Sequence, residues 1–439
     1  MKSLNPKIFL FLLTLLLSDF PNSRAFDSLL QLRSSGKRVK GRATRVLDVT
    51  DFGAKGNGVS DDTEAFVNAW KLACSLYPRS TIVIPGGNIY HVKPIDFAGP
   101  CRGKITLKIV GTVVAPGDPN VWLDLNPQKW IYFHGVSHLV IEGGGTINGM
   151  GGKWWAQSCK VNKSNPCHHA PTALTFHKCK DLQVRDLRVI DSQQMHMSFT
   201  SCTRVVLTNV DVIAPARSPN TDGIHISDST KVLVQNSKIK TGDDCVSIVK
   251  SSSRILIKGV TCGPGHGISV GSLGKSYSWA GVHDVAVDGA FLANTKNGLR
   301  IKTWQGGSGF AANITFQNVL MENVSNPIII DQYYCDSQLP CLNQTSSVQV
   351  SDISFKNVKG TSASEEAIRF SCSDTSPCNR LYLEDVHLVS YTGATKSFCW
   401  EAEGSWSGTV FPSPCFPSSS SFIEQITSSP STPHGYTSF

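Results

Sequence analysis

Charged residues are scarce in this 439-residue chain, at 17% of the total. Methionine is rarer, with 5, whereas glycine reaches 37 and Val, Ile, Ser, Thr and Asn abound. That balance weighs against a helical protein and favours β structure. No Cys-x-x-Cys pair occurs among the 14 cysteines, which removes the usual signature of a zinc site. Nor does any apolar run reach the length needed to cross a bilayer; the clearest covers only Ile8 to Leu17.

That run has a different meaning. Lys2 and Lys7 flank its start, and Ser23-Arg24-Ala25 follows as a small-x-small site, the pattern of a cleaved secretory signal over residues 1–25. An even number of cysteines suits disulfides in an oxidising compartment. Four sequons begin at Asn162, Asn313, Asn323 and Asn343 and are candidate glycosylation sites. The formal charge of +8 falls to +6 once Lys2, Lys7, Arg24 and Asp19 leave with the signal. In a secreted monomer such an excess points to an acidic polymer or the cell wall, not to nucleic acid, and after cleavage not to a membrane.

One phrase recurs along the chain. It reads DLQVRDLRV from Asp181, then RVVLTNVDV, KVLVQNSKI, RILIKGVTC, DVAVDGAFL, NITFQNVLM, DISFKNVKG and RLYLEDVHL, with HLVIEGGGT at His138 as an earlier copy. The anchors from Asp181 onward are 23, 27, 23, 30, 29, 39 and 28 residues apart, as coils of constant rung and variable loop would be. Second and fourth positions are apolar, for example Leu182/Val184 and Val205/Leu207, so each phrase predicts a short half-buried strand. The sixth position is often Asn (Asn209, Asn236, Asn318, Asn357), a residue that tolerates a left-handed bend.

A second short strand follows in each coil: GIHIS, CVSIV, GISVG, GLRIK, PIIID and AIRFS. With no helix between strands, the copies stack as an all-β, single-domain, right-handed parallel β-helix. A β-propeller would want longer and more even repeats of four strands. The first coil needs a cover. After the DFGAKGNG turn, Ala65, Phe66, Ala69, Trp70 and Ala73 recur at helical spacing behind Asp61 and Glu64, placed as a capping box. The expected organisation is a signal at 1–25, a basic segment at 26–48 that is loose over Arg33 to Arg45, the β-helix at 49–415 and a disordered Ser/Thr/Pro-rich tail at 416–439. Cys179 and Cys202 occupy one position on adjacent coils and could bridge. Cys335/Cys341 and Cys372/Cys378 suit local staples, and Cys399 with Cys415 is a pairing by proximity.

The chemistry gathers before the second strands. Asp222, Asp244 and His266 precede GIHIS, CVSI and GISV at intervals of 22 and 22 residues, and Asp243 stands beside Asp244. In the next strand Leu299 and Ile301 alternate inward, so Arg300 and Lys302 face out near that column. A lone acid before a strand is most often a turn cap, and a lone outer cation is usually solvated; His225 and Ser247 are left at that plain reading. Six such residues on neighbouring coils ask for more. Glycosidic hydrolysis needs one protonated and one ionised carboxyl, and crowding raises at least one pKa. Two cations beside the acids suit an anionic sugar such as a uronate.

NTDGIHIS, TGDDCVSI, GPGHGISVG and RIKTW, in this order, resemble the polygalacturonases of glycoside hydrolase family 28, and DFGAKGNG is similar to plant members. The resemblance runs from about Val49 to Cys415. It implies a right-handed β-helix that hydrolyses α-1,4-galacturonan with inversion, without metal or other cofactor. It further implies Asp243 as general acid, Asp222 with Asp244 activating water, and His266 supporting the acid. Arg300 and Lys302 would bind the galacturonate carboxylate, Tyr334 would line the site, and Cys245 would pair with Cys262. The rivals are a rhamnogalacturonan hydrolase of the same family, a pectate lyase and a non-catalytic wall-binding β-helix. A binder has no need of the paired acids.

Overall fold

Every repeated phrase becomes a strand, and its anchor residue takes a positive φ. The anchors His138, Asp181, Arg204, Lys231, Arg254, Asp284, Asn313, Asp352 and Arg380 all lie between 52° and 60°. Such a backbone turns the chain sharply into each rung. The sixth-position asparagines repeat the device, with φ of 53°, 49°, 55° and 48° at Asn209, Asn236, Asn318 and Asn357. They stack as a ladder: Asn357 donates to Asn318 at 2.9 Å, and Asn318 to Asp288 at 2.7 Å. A side-chain amide at a bend thus bonds the coil below as well as relaxing its own turn.

The computed structural model describes residues 44–122, 129–337, 339–391 and 393–416. The signal, residues 26–43 and the tail from 417 onward lie outside them. The chain divides into Met1–Arg42 and a compact unit Ala43–Phe439, and the description below concerns the latter. A strand already runs over Arg45–Asp48 and pairs in parallel with Arg79–Ile84. The coil therefore starts at Arg45, inside the basic 26–48 segment and ahead of the boundary expected at Val49.

Eleven short strands, from Ile95–Ala98 to Lys396–Trp400, stack in chain order into one sheet, each parallel to the next. The anchor strands and their continuations make the larger twenty-stranded sheet. This is a right-handed β-helix, with rungs about 4.8 Å apart. Three stacked strands precede the first phrase found in the sequence: Arg45–Asp48, Arg79–Ile84 and Lys104–Ile109 lie below Leu139–Glu142. The latter two carry Ile84 and Ile109 in the column where later phrases carry Asn, so the repeat is harder to see.

Inward residues fill the coil as columns. Phe97, Phe133, Phe176 and Phe199 stack with centroids 5.0, 5.1 and 5.0 Å apart. The helix Thr63–Ser75 buries Ala65, Phe66, Ala69, Trp70 and Ala73, and Trp70 meets Phe97 at 4.7 Å. Each such aromatic contributes about 1.5–3 kcal/mol by leaving water. The expected capping box does not form. Asp62 is the N-cap, and its carboxylate instead accepts from Lys55 N at 2.6 Å, tying down the glycine-rich turn. Asp61 accepts from Thr63 N at 3.0 Å. A second, short helix at Gly152–Ala156 had no clear sequence signal.

Six disulfides occur among the described residues. Cys245–Cys262, Cys335–Cys341, Cys372–Cys378 and Cys399–Cys415 match expectation, and Cys74–Cys101 and Cys159–Cys167 are added. Cys179 and Cys202 do not bridge; both are buried thiols. Residues in register on parallel coils send their side chains the same way, whereas a disulfide needs its Cβ atoms to lean together. The two thiols hydrogen-bond each other without joining, and each also reaches a backbone carbonyl, Cys202 to Phe176 at 3.4 Å and Cys179 to Phe133 at 3.7 Å. The four sequon asparagines are exposed, but Asn313 and Asn323 already donate their amides within ladders.

Candidate active site

Four neighbouring strands carry the site: Ile224–Ser227, Val246–Ile248, Ile268–Leu273 and Asn297–Thr303. Their register aligns His225, Ser247, Ser269 and Arg300 in one column on the outer face. Val246, Ile268 and Leu299 alternate inward and are fully buried. Asp222, Asp243, Asp244 and His266 all come just before these strands, in the turns. The doublet is thus released from strict alternation, and neither acid enters the apolar core. Gly267 makes the His266 turn possible. Its φ is 84°, and a Cβ there would sit 2.1 Å from the Asn297 carbonyl oxygen.

Asp244 is the most buried of the acids, at 1% exposure, and the most fully satisfied. Arg300 Nη2 donates to Oδ1 at 2.6 Å, Lys302 Nζ to Oδ2 at 2.8 Å, and Ser269 Oγ to Oδ1 at 2.9 Å. Arg300 Nε also donates to Ser269 Oγ at 2.9 Å, closing a small ring of bonds. Burial pushes this carboxyl up, but the Lys302 and Arg300 charges outweigh it and hold Asp244 at about 2.

Asp222 lies in the opposite situation. Burial and then the charges of Asp243 and Asp244 push it well above the ordinary carboxyl value. Only the Ser247 hydroxyl, donating to Oδ2 at 2.7 Å, and more distant Lys302 pull it back. Ser247 is in turn 2.8 Å from His225 Nδ1, an imidazole that burial lowers to about 4. Neutral His225 therefore donates to the serine, which donates to the acid. Asp243 is more open; its Oδ1 accepts from Asp244 N at 2.8 Å and lies 3.0 Å from His266 Nδ1. Environment has separated three neighbouring carboxyls: one ionised, one disposed to hold a proton, and one paired with an imidazole at the mouth of the cleft.

These residues line a cleft of about 430 Å³. Tyr334 enters it with Lys302 Nζ 5.2 Å above its ring, and Trp304 packs edge-on at 5.8 Å. Burial, with Asp336 nearby, raises the Tyr334 phenol above its usual range, so it stays a neutral donor. Tyr333 turns away and bonds Asp374 at 2.8 Å. All seven expected catalytic and binding residues thus line one space. The residues missed from sequence are Ser247, Ser269 and His225 in the outer column, and Arg217, Lys296, Lys160 and Asp336 on the walls. Polar residues alternating with Val246, Ile248, Ile268 and Val270 were the available signal for the serines. Lys160 and Asp336 form an ion pair between two disulfide-closed loops.

Asp243, Asp244 and His266 offer ligand atoms within 4.8 Å of one another, the spacing of a metal site. Two cations already neutralise Asp244, and their charges oppose a divalent ion at that spot.

Residues 74–408 match the model of the glycosyl hydrolases family 28. The chain is 58% identical over 407 residues to a probable polygalacturonase of Arabidopsis thaliana, covering 92% of each. It is 53% identical to a polygalacturonase of Persea americana, covering 79% of this chain and 74% of that protein. Among solved structures, an exopolygalacturonase from Thermotoga maritima superposes with a TM-score of 0.71 at 21% identity, covering 88% of this chain and 95% of that one.

Proposed function

This chain belongs to the glycosyl hydrolases family 28, and we propose that its cleft hydrolyses α-1,4 bonds between galacturonate residues with inversion. It is a glycosidase, a pectin-degrading polygalacturonase. Asp243 is the general acid: it gives its proton to the glycosidic oxygen as the bond to the anomeric carbon breaks. Asp222 and Asp244 hold a water on the other face, and Asp222 takes its proton as the new bond forms. His266 keeps the acid oriented, and Arg300 and Lys302 meet the sugar carboxylate under the Tyr334 ring.

One observation carries this reading: a carboxyl with a raised pKa beside one fixed as an anion, with a third exposed to the cleft. Burial and the neighbouring acids favour a proton on Asp222 in the free enzyme. Hydrolysis requires the reverse, an ionised Asp222 and a proton on Asp243. The cations speak for an anionic substrate, since Arg300 and Lys302 share the single Asp244 carboxylate and leave a positive charge in excess of it.

We further propose that the enzyme acts as a monomer in the cell wall. Six disulfides among the described residues and its plant relatives fit an extracellular enzyme, and no helix among those residues is long and apolar enough to cross a membrane. The test is to incubate the protein with de-esterified polygalacturonate. Released reducing ends of the inverted anomer are expected, with no unsaturated sugar. An unsaturated product, or turnover of rhamnogalacturonan alone, would overturn the assignment.

A further inference from the structure

One coil before Asp222 a second cavity of about 450 Å³ opens beside the cleft, within the range of ligand sites. Pro219 and Asn220 line both spaces, so a polymer lying in the cleft passes its entrance. Its chemistry is unlike that of its neighbour. Among the described residues the catalytic cleft is lined by five lysines and arginines, whereas no Lys, Arg, Asp or Glu lines this cavity. Trp122 and Trp154 form an aromatic corner, edge to face at 5.8 Å. His168 and His169 stand at the exposed rim.

Two polar side chains in the lining lack partners. Gln193 is only 1% exposed, yet neither its amide nitrogen nor its amide oxygen has a hydrogen-bond partner. The Trp154 indole N–H is likewise buried and unpaired. Their neighbours are not so: Gln194 accepts from Ala170 N at 3.1 Å, and the Trp122 indole donates to Pro116 O at 3.3 Å. A buried amide left without a partner is costly, and such exceptions in a cavity wall point to a ligand.

We infer that this cavity is a subsite for a galacturonate residue whose carboxyl is methyl-esterified; the inference rests on the hydrolase reading above. A free carboxylate entering it would lose water with no cation to meet it, at a large desolvation cost. Esterification removes the charge and leaves a carbonyl that can accept from the Trp154 or Gln193 N–H. The Gln193 carbonyl takes a sugar hydroxyl, and the added methyl lies against the tryptophan pair. The enzyme thus reads charge at the scissile residue and its absence a short way along the chain, which selects partly esterified pectin.

Binding tests this without depending on turnover. Short oligogalacturonides, fully de-esterified or methyl-esterified, are titrated calorimetrically into protein carrying Asp243→Asn, alone or with Trp154→Ala. With Trp154 present, the esterified oligomers should bind more tightly. Trp154→Ala should weaken them by about tenfold, as for a methyl group losing its pocket, with little change for the de-esterified ones. Equal weakening of both, a larger loss for the de-esterified ligand, or no change would overturn the subsite. Should Trp154→Ala fail to fold, Gln193→Leu removes both unpaired amide atoms and carries the same expectation. Failure of the hydrolase reading would appear elsewhere, as no reducing ends from the unsubstituted enzyme, while the binding ratio would still decide the cavity.

Discussion

Lys302 places its ammonium 2.8 Å from Asp244, although 58 positions separate them in the chain. The parallel stack explains the reach. Asp244 precedes one strand and Lys302 lies on the strand two rungs further on, so a long side chain spans rungs about 4.8 Å apart. Arg300 joins from the same strand, and one carboxylate holds two buried cations in place.

Asp244→Asn should therefore cost both rate and stability. It leaves Arg300 and Lys302 buried without a counter-charge, a loss of about 3–5 kcal/mol for a broken buried pair. The pH dependence has a definite sign. The folded-state value of Asp244 is depressed from 3.8 to about 2, so its contribution is present above 3.8 and is lost as pH falls toward about 2. Urea midpoints measured across that window should fall in the parent and flatten in the variant.

Asp243→Asn should separate chemistry from folding. Asn keeps an oxygen to accept the Asp244 N–H but has no proton to give at ordinary pH. Removing a general acid costs about 10²–10⁴ in rate. The side chain is partly exposed, so thermal melting should barely move. Turnover close to that of the parent would transfer the acid role elsewhere, with Asp222 the first alternative.

Ser247→Ala probes the second carboxyl through its pH profile. The hydroxyl pulls the Asp222 value down, so its loss should push an already raised value higher. If ionised Asp222 takes the proton from water, the acid limb of kcat/KM should shift to higher pH, while the rate well above that limb stays near the parent's. An unmoved limb would remove Asp222 from that role.

Much of this was legible because the fold repeats. Apolar alternation located the strands, and the left-handed bends fell on the anchors and on Asn209, Asn236, Asn318 and Asn357. The catalytic column was legible because Asp222, Asp244 and His266 keep the coil's own interval. Ser247 and Ser269 were not, since a small polar residue on an outer face is ordinary until its neighbours are known. Cys179 and Cys202 misled because shared register brings two thiols into hydrogen-bond contact without the geometry of a bridge. The pair of Lys160 with Asp336 lay beyond reach, because two irregular loops 176 positions apart meet only in space.

That pair leads to the last prediction, on the mode of cutting. Lys160 comes from the loop closed by Cys159–Cys167, before its strand of the eleven-stranded sheet, and Asp336 from the loop closed by Cys335–Cys341, after another. Both line the catalytic cleft, where their ion pair joins the two loops. If that pair spans the cleft, a polymer can thread under this clasp from an end, but to settle in mid-chain it must open the pair. The two side chains are 46% and 41% exposed, and exposed pairs contribute at most about 1 kcal/mol, so the clasp opens readily and is weakened by salt. Asp336→Asn should therefore leave the melting temperature almost unchanged. It should also shift the products of polygalacturonate toward longer fragments and speed the fall in viscosity per bond cut, and added salt should move the parent enzyme the same way. Identical product sizes from variant and parent would show that the polymer enters without passing the clasp.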